Sequence, residues 1–223
     1  MTTNTETALC LHCGKPAADQ LVCPGCGVVA RAPLGAEAEP DYFTVFSLPR
    51  RPVIDLADLE QRYYAMSRAM HPDLFHDRPP AEQAASLRMT ARVNRAYRTL
   101  KDPVARGLYW LELHGESLGR DNERVPPTLA ARVFEVQEQL DELRSAKKAG
   151  AADAETTAVV AVRDELRDDL DGCELRLAKN FERFTSNGGA EALAETKHIL
   201  SELHYVRTLL RDVDKELGAV WNG

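Results

Sequence analysis

The sequence predicts an all-α main body, a helical hairpin followed by a three-helix bundle, with a small cysteine-bearing ribbon ahead of it. Three observations predict this. Apolar residues recur at spacings of three and four from about residue 41 onward. No alternating strand pattern appears outside the first 30 residues. Within those 30 residues lie two C-x2-C pairs, separated by nine residues.

The ribbon comes first. Cys10, Cys13, Cys23 and Cys26 are accompanied by the turn formers Gly14, Pro16, Pro24, Gly25 and Gly27. In a reducing compartment such pairs are expected to be metal ligands rather than disulfides. Each pair forms a knuckle whose thiolates aim at one ion. Four thiolates in a tetrahedron suit zinc, which replaces a core that ~30 residues cannot build. Mononuclear iron and an iron–sulfur cluster are the rival occupants. Four cysteines leave no open position for substrate, so a structural metal is expected and catalysis there is not. Residues 31–40, within the stretch ARAPLGAEAEP, read as a linker.

Residues 41–115 form the second segment. DYFTVFSLP is a short apolar entry. Asp55 is the expected N-cap of a helix carrying Leu56, Leu59, Tyr63, Met66 and Met70. Pro72 stops that helix, because the residue before a proline is pushed out of helical conformation. The next helix is expected from about Ala81 to Leu100, with Ala84, Leu87, Ala91, Asn94 and Tyr97 along one face. Lys101-Asp102-Pro103 ends it, and VARGLYWLELHG supplies a short helix closed by Gly115.

A second linker, residues 116–126, leads into the C-terminal bundle, 127–220. Three long helices are expected there, about 127–148, 155–185 and 189–218, broken at KKAGAAD and TSNGG. The apolar spacing runs through Phe134, Leu140 and Leu143, then Leu166, Leu170, Leu177 and Phe181. It continues through Leu193, Ile199, Leu203, Val206 and Leu210. Short connections between long helices imply antiparallel neighbours. Cys173 falls inside a helix and reads as a packed or surface thiol rather than a nucleophile.

Composition excludes several function classes. The 223 residues are 44% hydrophobic and 28% charged, as expected of a soluble globular chain. The net charge of −7 is uneven. Residues 1–119 hold 13 Lys and Arg against 14 Asp and Glu, whereas residues 120–223 hold 15 against 21. An acidic second half argues against nucleic acid as a partner. The stretch 78–106 is locally basic, with seven positive groups and two negative ones. No apolar run approaches the roughly 20 residues of a membrane span, and the N-terminus resembles neither a secretory signal nor a mitochondrial presequence. The expected setting is the cytoplasm, in a bacterium, with no membrane partner.

His71-Pro72-Asp73 admits three readings. A catalytic dyad needs a nucleophile or pocket that the sequence does not supply, so no residue is assigned a catalytic role. A metal site pairing His71 with His76 lacks a third patterned ligand. A recognition loop makes sense: proline stiffens a turn after a helix, and a polar pair stands at its tip.

Here a resemblance enters. DYFTVFSLP, HPDLF, NRAYRTLKDP and ARGLYWLELHG, in that order, resemble the J-domain of DnaJ-type co-chaperones from Asp41 to about Leu113. The opening and closing blocks, with about 100 helical residues beyond them, narrow the resemblance to the HscB family of iron–sulfur cluster co-chaperones. A tetracysteine extension like this one occurs in some members, notably eukaryotic ones, and is absent from the short bacterial form. The resemblance implies a non-enzymatic protein that docks on an HscA- or DnaK-type chaperone and stimulates its ATPase. His71, Pro72 and Asp73 would be required, supported by Arg62 and Arg68, which read equally well as a solvated helix face. It also implies that the bundle binds an IscU-like scaffold. Matching LAARVFEVQEQLDEL to the family contact places Leu129, Ala130, Ala131, Phe134, Glu135, Glu138 and Glu142 on the scaffold face, with Tyr205 as an aromatic from the last helix. Ala130 and Ala131 stand where larger apolar residues are usual, which puts the anchoring area in doubt. Phe134 and Tyr205 read alternatively as bundle core.

Three other functions remain open from sequence: a J-protein serving other clients, a zinc-ribbon regulator that binds nucleic acid, and a redox carrier with rubredoxin-like iron.

Overall fold

The computed structural model describes residues 41–118, 127–184 and 189–218. The cysteine ribbon and both linkers' uncharted parts, including Cys10, Cys13, Cys23 and Cys26, lie outside the described residues. Among the described residues the structure is all helical, with no strand, in agreement with the fold class expected from sequence. No helix among them is long and apolar enough to cross a membrane.

The chain divides into two compact units between Ala105 and Arg106. The first unit contains α1 (Tyr42–Val45), α2 (Leu56–Ala69), a 3-10 turn (Pro72–Phe75), α3 (Pro80–Lys101) and the start of α4 (Pro103–Leu113). The local chemistry explains the helix starts. Asp41 accepts the Thr44 N–H at 2.9 Å, and Asp55 accepts from Ala57 and Asp58 at 2.9 and 3.2 Å. These carboxylates satisfy donors that a helix N-terminus otherwise leaves unpaired. Asp102 serves α4 in the same way through the Ala105 N–H, with Pro103 at the first helical position.

Phe43, Val45, Phe46, Leu59, Met70, Val93, Ala96 and Leu100 form the buried interior of this unit. Polar ring contacts close the α2–α3 hairpin. Tyr63 stacks on Tyr97 with centroids 4.0 Å apart, and their hydroxyls donate to Asn94 and Glu60, each at 3.1 Å. The stripe read from sequence along α3 is split by this packing. Asn94 and Tyr97 turn toward α2, but Leu87 and Ala91 face outward, and Ser86, Val93, Ala96 and Leu100 are buried instead. Helical periodicity shows that a face exists; the partner helix decides which one is covered.

The second unit begins within α4 and continues through α5 (Pro127–Ala149), α6 (Asp153–Arg183) and α7 (Gly189–Leu217). The segment expected to close the hairpin at Gly115 thus contributes its last turns to the bundle's unit. The cause is a close approach. A Cβ on Gly107 would lie 3.2 Å from Leu200 Cδ1 and 3.4 Å from Phe181 Cζ. Arg106 stands over the Phe181 ring at 5.4 Å, and Trp110 meets Phe184 edge-on. Gly115 ends α4 with φ of 73°, a left-handed conformation that glycine adopts without a Cβ clash.

Val136, Leu140 and Leu143 of α5, Val159, Val162 and Leu166 of α6, and Val206, Leu209, Leu210 and Val213 of α7 make the bundle core. At the other end of the α6–α7 pair, buried Asn180 donates to the Ala192 carbonyl at 2.8 Å and to Thr196 Oγ1 at 2.9 Å. Such a satisfied polar pair fixes the helix register, because a slip would strand both groups without partners. Cys173 is buried on α6, and burial pushes its thiol upward in pKa, partly offset by Arg176. Of the two readings from sequence, packed or surface thiol, the structure shows the packed one.

A charged clasp joins the ends of α5 and α7. Arg144 and Lys147 bond the Glu216 carboxylate at 2.9 and 3.1 Å and hold its pKa below the ordinary range. A carboxylate with a lowered folded-state pKa contributes stability above its unfolded value, lost as pH falls through the lowered one. Thermal unfolding followed across acid pH is expected to show Glu216→Gln less stable than the parent near neutrality. The two curves should converge once Glu216 is protonated.

Candidate functional site

The polar tip between α2 and α3 is built from the backbone outward. Met70 is fully buried, and its carbonyl accepts from Ser86 Oγ at 2.7 Å and Thr90 Oγ1 at 3.1 Å. Gln83 donates to the carbonyls of His76 and Arg78 at 2.9 and 2.8 Å. Helix α3 therefore grips the loop on both sides of the tripeptide. Phe75 inserts into the interior and pins the middle.

Pro72 opens the 3-10 turn, where its missing N–H costs nothing. The Leu74 N–H bonds the His71 carbonyl at 2.9 Å. His71 Nδ1 faces the Asp73 N–H and Oδ2, each at 3.4 Å. Among the described residues, the ring's polar contacts all stay inside the turn. The His71 and Asp73 side chains are 58% and 87% exposed, and Leu74 beside them is exposed as well. A rigid turn presenting an open imidazole, an open carboxylate and a leucine is a contact surface. His76 bonds the Asp73 carbonyl through Nδ1 and Asp77 through Nε2, at 2.9 Å each.

The two arginines expected beside this tip differ. Arg62 is occupied: it bonds Asp58 at 2.8 Å and the Phe46 carbonyl at 3.0 Å, tying the end of α1 to α2. Arg68 is exposed and carries no ion pair among the described residues.

A second candidate surface lies on α5. Phe134 is 78% exposed, with Ala131, Glu135, Glu138, Asp141 and Glu142 exposed around it on the side opposite the core. Phe134, Gln137, Glu138, Asp141, Glu142 and Ser145 line one shallow, open surface. Leu129 is half-buried and, like Val133, packs against the bundle core. Ala130 is half-buried at the margin. Tyr205 is half-buried on α7, its ring 5.8 Å from that of His204. The alternative reading of Phe134 as bundle core does not hold, since it lies opposite Val136 and Leu140.

The path of the chain matches solved structures. Human co-chaperone protein HscB superposes with a TM-score of 0.68 at 24% identity, covering 94% of this chain and 98% of its own. The fold is that of the HscB co-chaperones. Chaperone HscB from Vibrio cholerae superposes with a TM-score of 0.60 at 23% identity, over 79% of this chain and 96% of that one. No protein-family model matches the sequence.

Sequence reasoning missed the anchors of the HscB-like hairpin. Gln83, Ser86 and Thr90 position the tripeptide, yet a short polar residue on a helix carries no signal of its target. It also left Leu74 unassigned. An exposed leucine next to an exposed histidine was visible only in its composition, HPDLF.

Proposed function

We propose that this protein is a co-chaperone of iron–sulfur cluster biogenesis. Its first helical unit docks on an HscA- or DnaK-type chaperone and stimulates that partner's ATPase. Its bundle binds and delivers an IscU-like cluster scaffold. The protein is not itself an enzyme in this reading; hydrolysis happens in the chaperone. The observation that carries the proposal is the combination of the anchored, open His71-Pro72-Asp73 turn with an HscB-like bundle displaying Phe134 outward. The proposed setting is the cytoplasm of a bacterium, with neither membrane nor nucleic acid as partner.

Charge supports the division of labour. The α5 surface joins one aromatic to Glu135, Glu138, Asp141 and Glu142, which suits a scaffold face carrying basic groups around an apolar notch. The deciding experiment measures chaperone ATPase rates with and without the scaffold. Synergistic stimulation by both is expected, and stimulation without any scaffold binding would favour a J-protein for other clients.

The tetracysteine ribbon completes the proposal. Cys10, Cys13, Cys23 and Cys26 are a donor set suited to one structural zinc. Elemental analysis of the purified protein is expected to find about one zinc per chain, in a colourless sample. Visible thiolate-to-iron absorption would instead support rubredoxin-like iron or a cluster.

A further inference from the structure

Within the first helical unit the charge available for docking gathers on α3, inside the locally basic stretch 78–106. Helix α2 is balanced: Asp58 and Glu60 offset Arg62 and Arg68. Arg62 is moreover committed to Asp58 and the α1 carbonyls. Helix α3 carries Arg88, Arg92, Arg95, Arg98 and Lys101 against Glu82 alone.

The outward face of α3 gathers this charge. Leu87, Arg88, Ala91, Arg95 and Arg98 follow at helical spacing and are all exposed. Arg88, Arg95 and Arg98 carry no ion pair among the described residues. Leu87 is 58% exposed, an uncovered apolar group at the head of a basic stripe. The α3 turns that present Leu87, Arg88 and Ala91 are the ones whose Ser86 and Thr90 hold the Met70 carbonyl. One stretch of helix therefore fixes the tripeptide turn and displays the basic face.

We propose that this α3 face, Leu87 with Arg88, Arg95 and Arg98, is the electrostatic half of the chaperone-docking surface, fitted to a carboxylate-lined protein groove with an apolar notch. This rests on the co-chaperone reading above and adds an α3 face to the charged contact that exposed Arg68 leaves open on α2. A protein groove fits better than a phosphate backbone for two reasons. The stripe is headed by a leucine and short, and the chain as a whole carries −7, which repels a polyanion. Three unpaired guanidiniums raise association rates with an acidic partner and select its orientation, while Leu87 supplies a dry contact.

The test uses the full chain and a purified DnaK-type chaperone with ATP, titrated at low and at physiological salt. The triple variant Arg88→Glu/Arg95→Glu/Arg98→Glu is expected to need about tenfold more protein for half-maximal stimulation. It should also lose most of the salt dependence, while reaching the parent's maximal rate. A charge-matched control on the bundle, Lys148→Glu/Lys179→Glu/Arg211→Glu, should shift the midpoint little. Circular dichroism guards against misfolding, and Arg88→Ala/Arg95→Ala/Arg98→Ala gives the same direction with a smaller shift. Wild-type stimulation unaffected by the α3 triple overturns the inference while the co-chaperone reading stands. So does a larger loss from Arg68→Glu than from the triple, which keeps the contact on α2. No stimulation by the parent overturns both. Salt-sensitive binding of the parent to an oligonucleotide, abolished in the triple, assigns the stripe to nucleic acid and overturns it too.

Discussion

His71→Gln is expected to cut the proposed stimulation of a chaperone's ATPase sharply while leaving folding stability unchanged within about 0.5 kcal/mol. Both halves follow from the turn. The imidazole is more than half exposed, and its contacts with Asp73 are long, at 3.4 Å. Little folding energy resides in such contacts. What holds the turn is elsewhere: the buried Met70 and Phe75 and the bonds from Ser86, Thr90 and Gln83. Glutamine keeps the turn and removes only the group displayed. A central interface contact of roughly 2 kcal/mol corresponds to about a 30-fold loss of stimulation at limiting protein. Equal stimulation by the variant would end the docking reading and leave the fold untouched.

Phe134→Ala should weaken scaffold binding by roughly 30-fold, the size of a buried aromatic anchor, with no fall in Tm. The side chain is 78% exposed in the chain alone, so truncating it opens no cavity. Leu140→Ala on the other side of the same helix is the contrast. Leu140 is 1% exposed in the bundle core, and its loss is expected to cost about 2–5 kcal/mol of stability. Calorimetric titration with an IscU-like scaffold, paired with thermal unfolding of each variant, separates the two effects. If Phe134→Ala destabilised the protein as Leu140→Ala does, the α5 surface would be structural rather than a contact. With Leu129 and Ala130 both half-buried, the outward anchor area is concentrated on Phe134. That concentration is the reason one substitution is expected to have so large an effect.

Much of the helical pattern was legible in the sequence because its signals are local. Asp55 caps α2 as expected, and the structure begins that helix at Leu56. The three bundle helices expected at 127–148, 155–185 and 189–218 are found at Pro127–Ala149, Asp153–Arg183 and Gly189–Leu217. Carboxylate caps, prolines and left-handed glycines act within a turn of their own position, so they are readable without the fold. The short α1 and the 3-10 turn after Pro72 were less so. Each spans four residues, too few for periodicity to register.

The sites were legible as candidates only. HPDLF and LAARVFEVQEQLDEL marked where to look. Whether Phe134 or Leu129 faced the core was not written in either, since both fit an apolar spacing on α5. The order of the helices, their caps and the residues able to carry chemistry were determined by the sequence alone, through interactions among near neighbours. Which face each helix buries was decided by tertiary packing. Contact with α6 and α7 turned Val136, Leu140 and Leu143 in and Phe134 out. Contact with α2 left Leu87, Arg88, Arg95 and Arg98 uncovered, and the approach of Gly107 to Leu200 gave α4's last turns to the bundle's unit. Burial is a property of two surfaces meeting, and one of those surfaces is always distant in sequence.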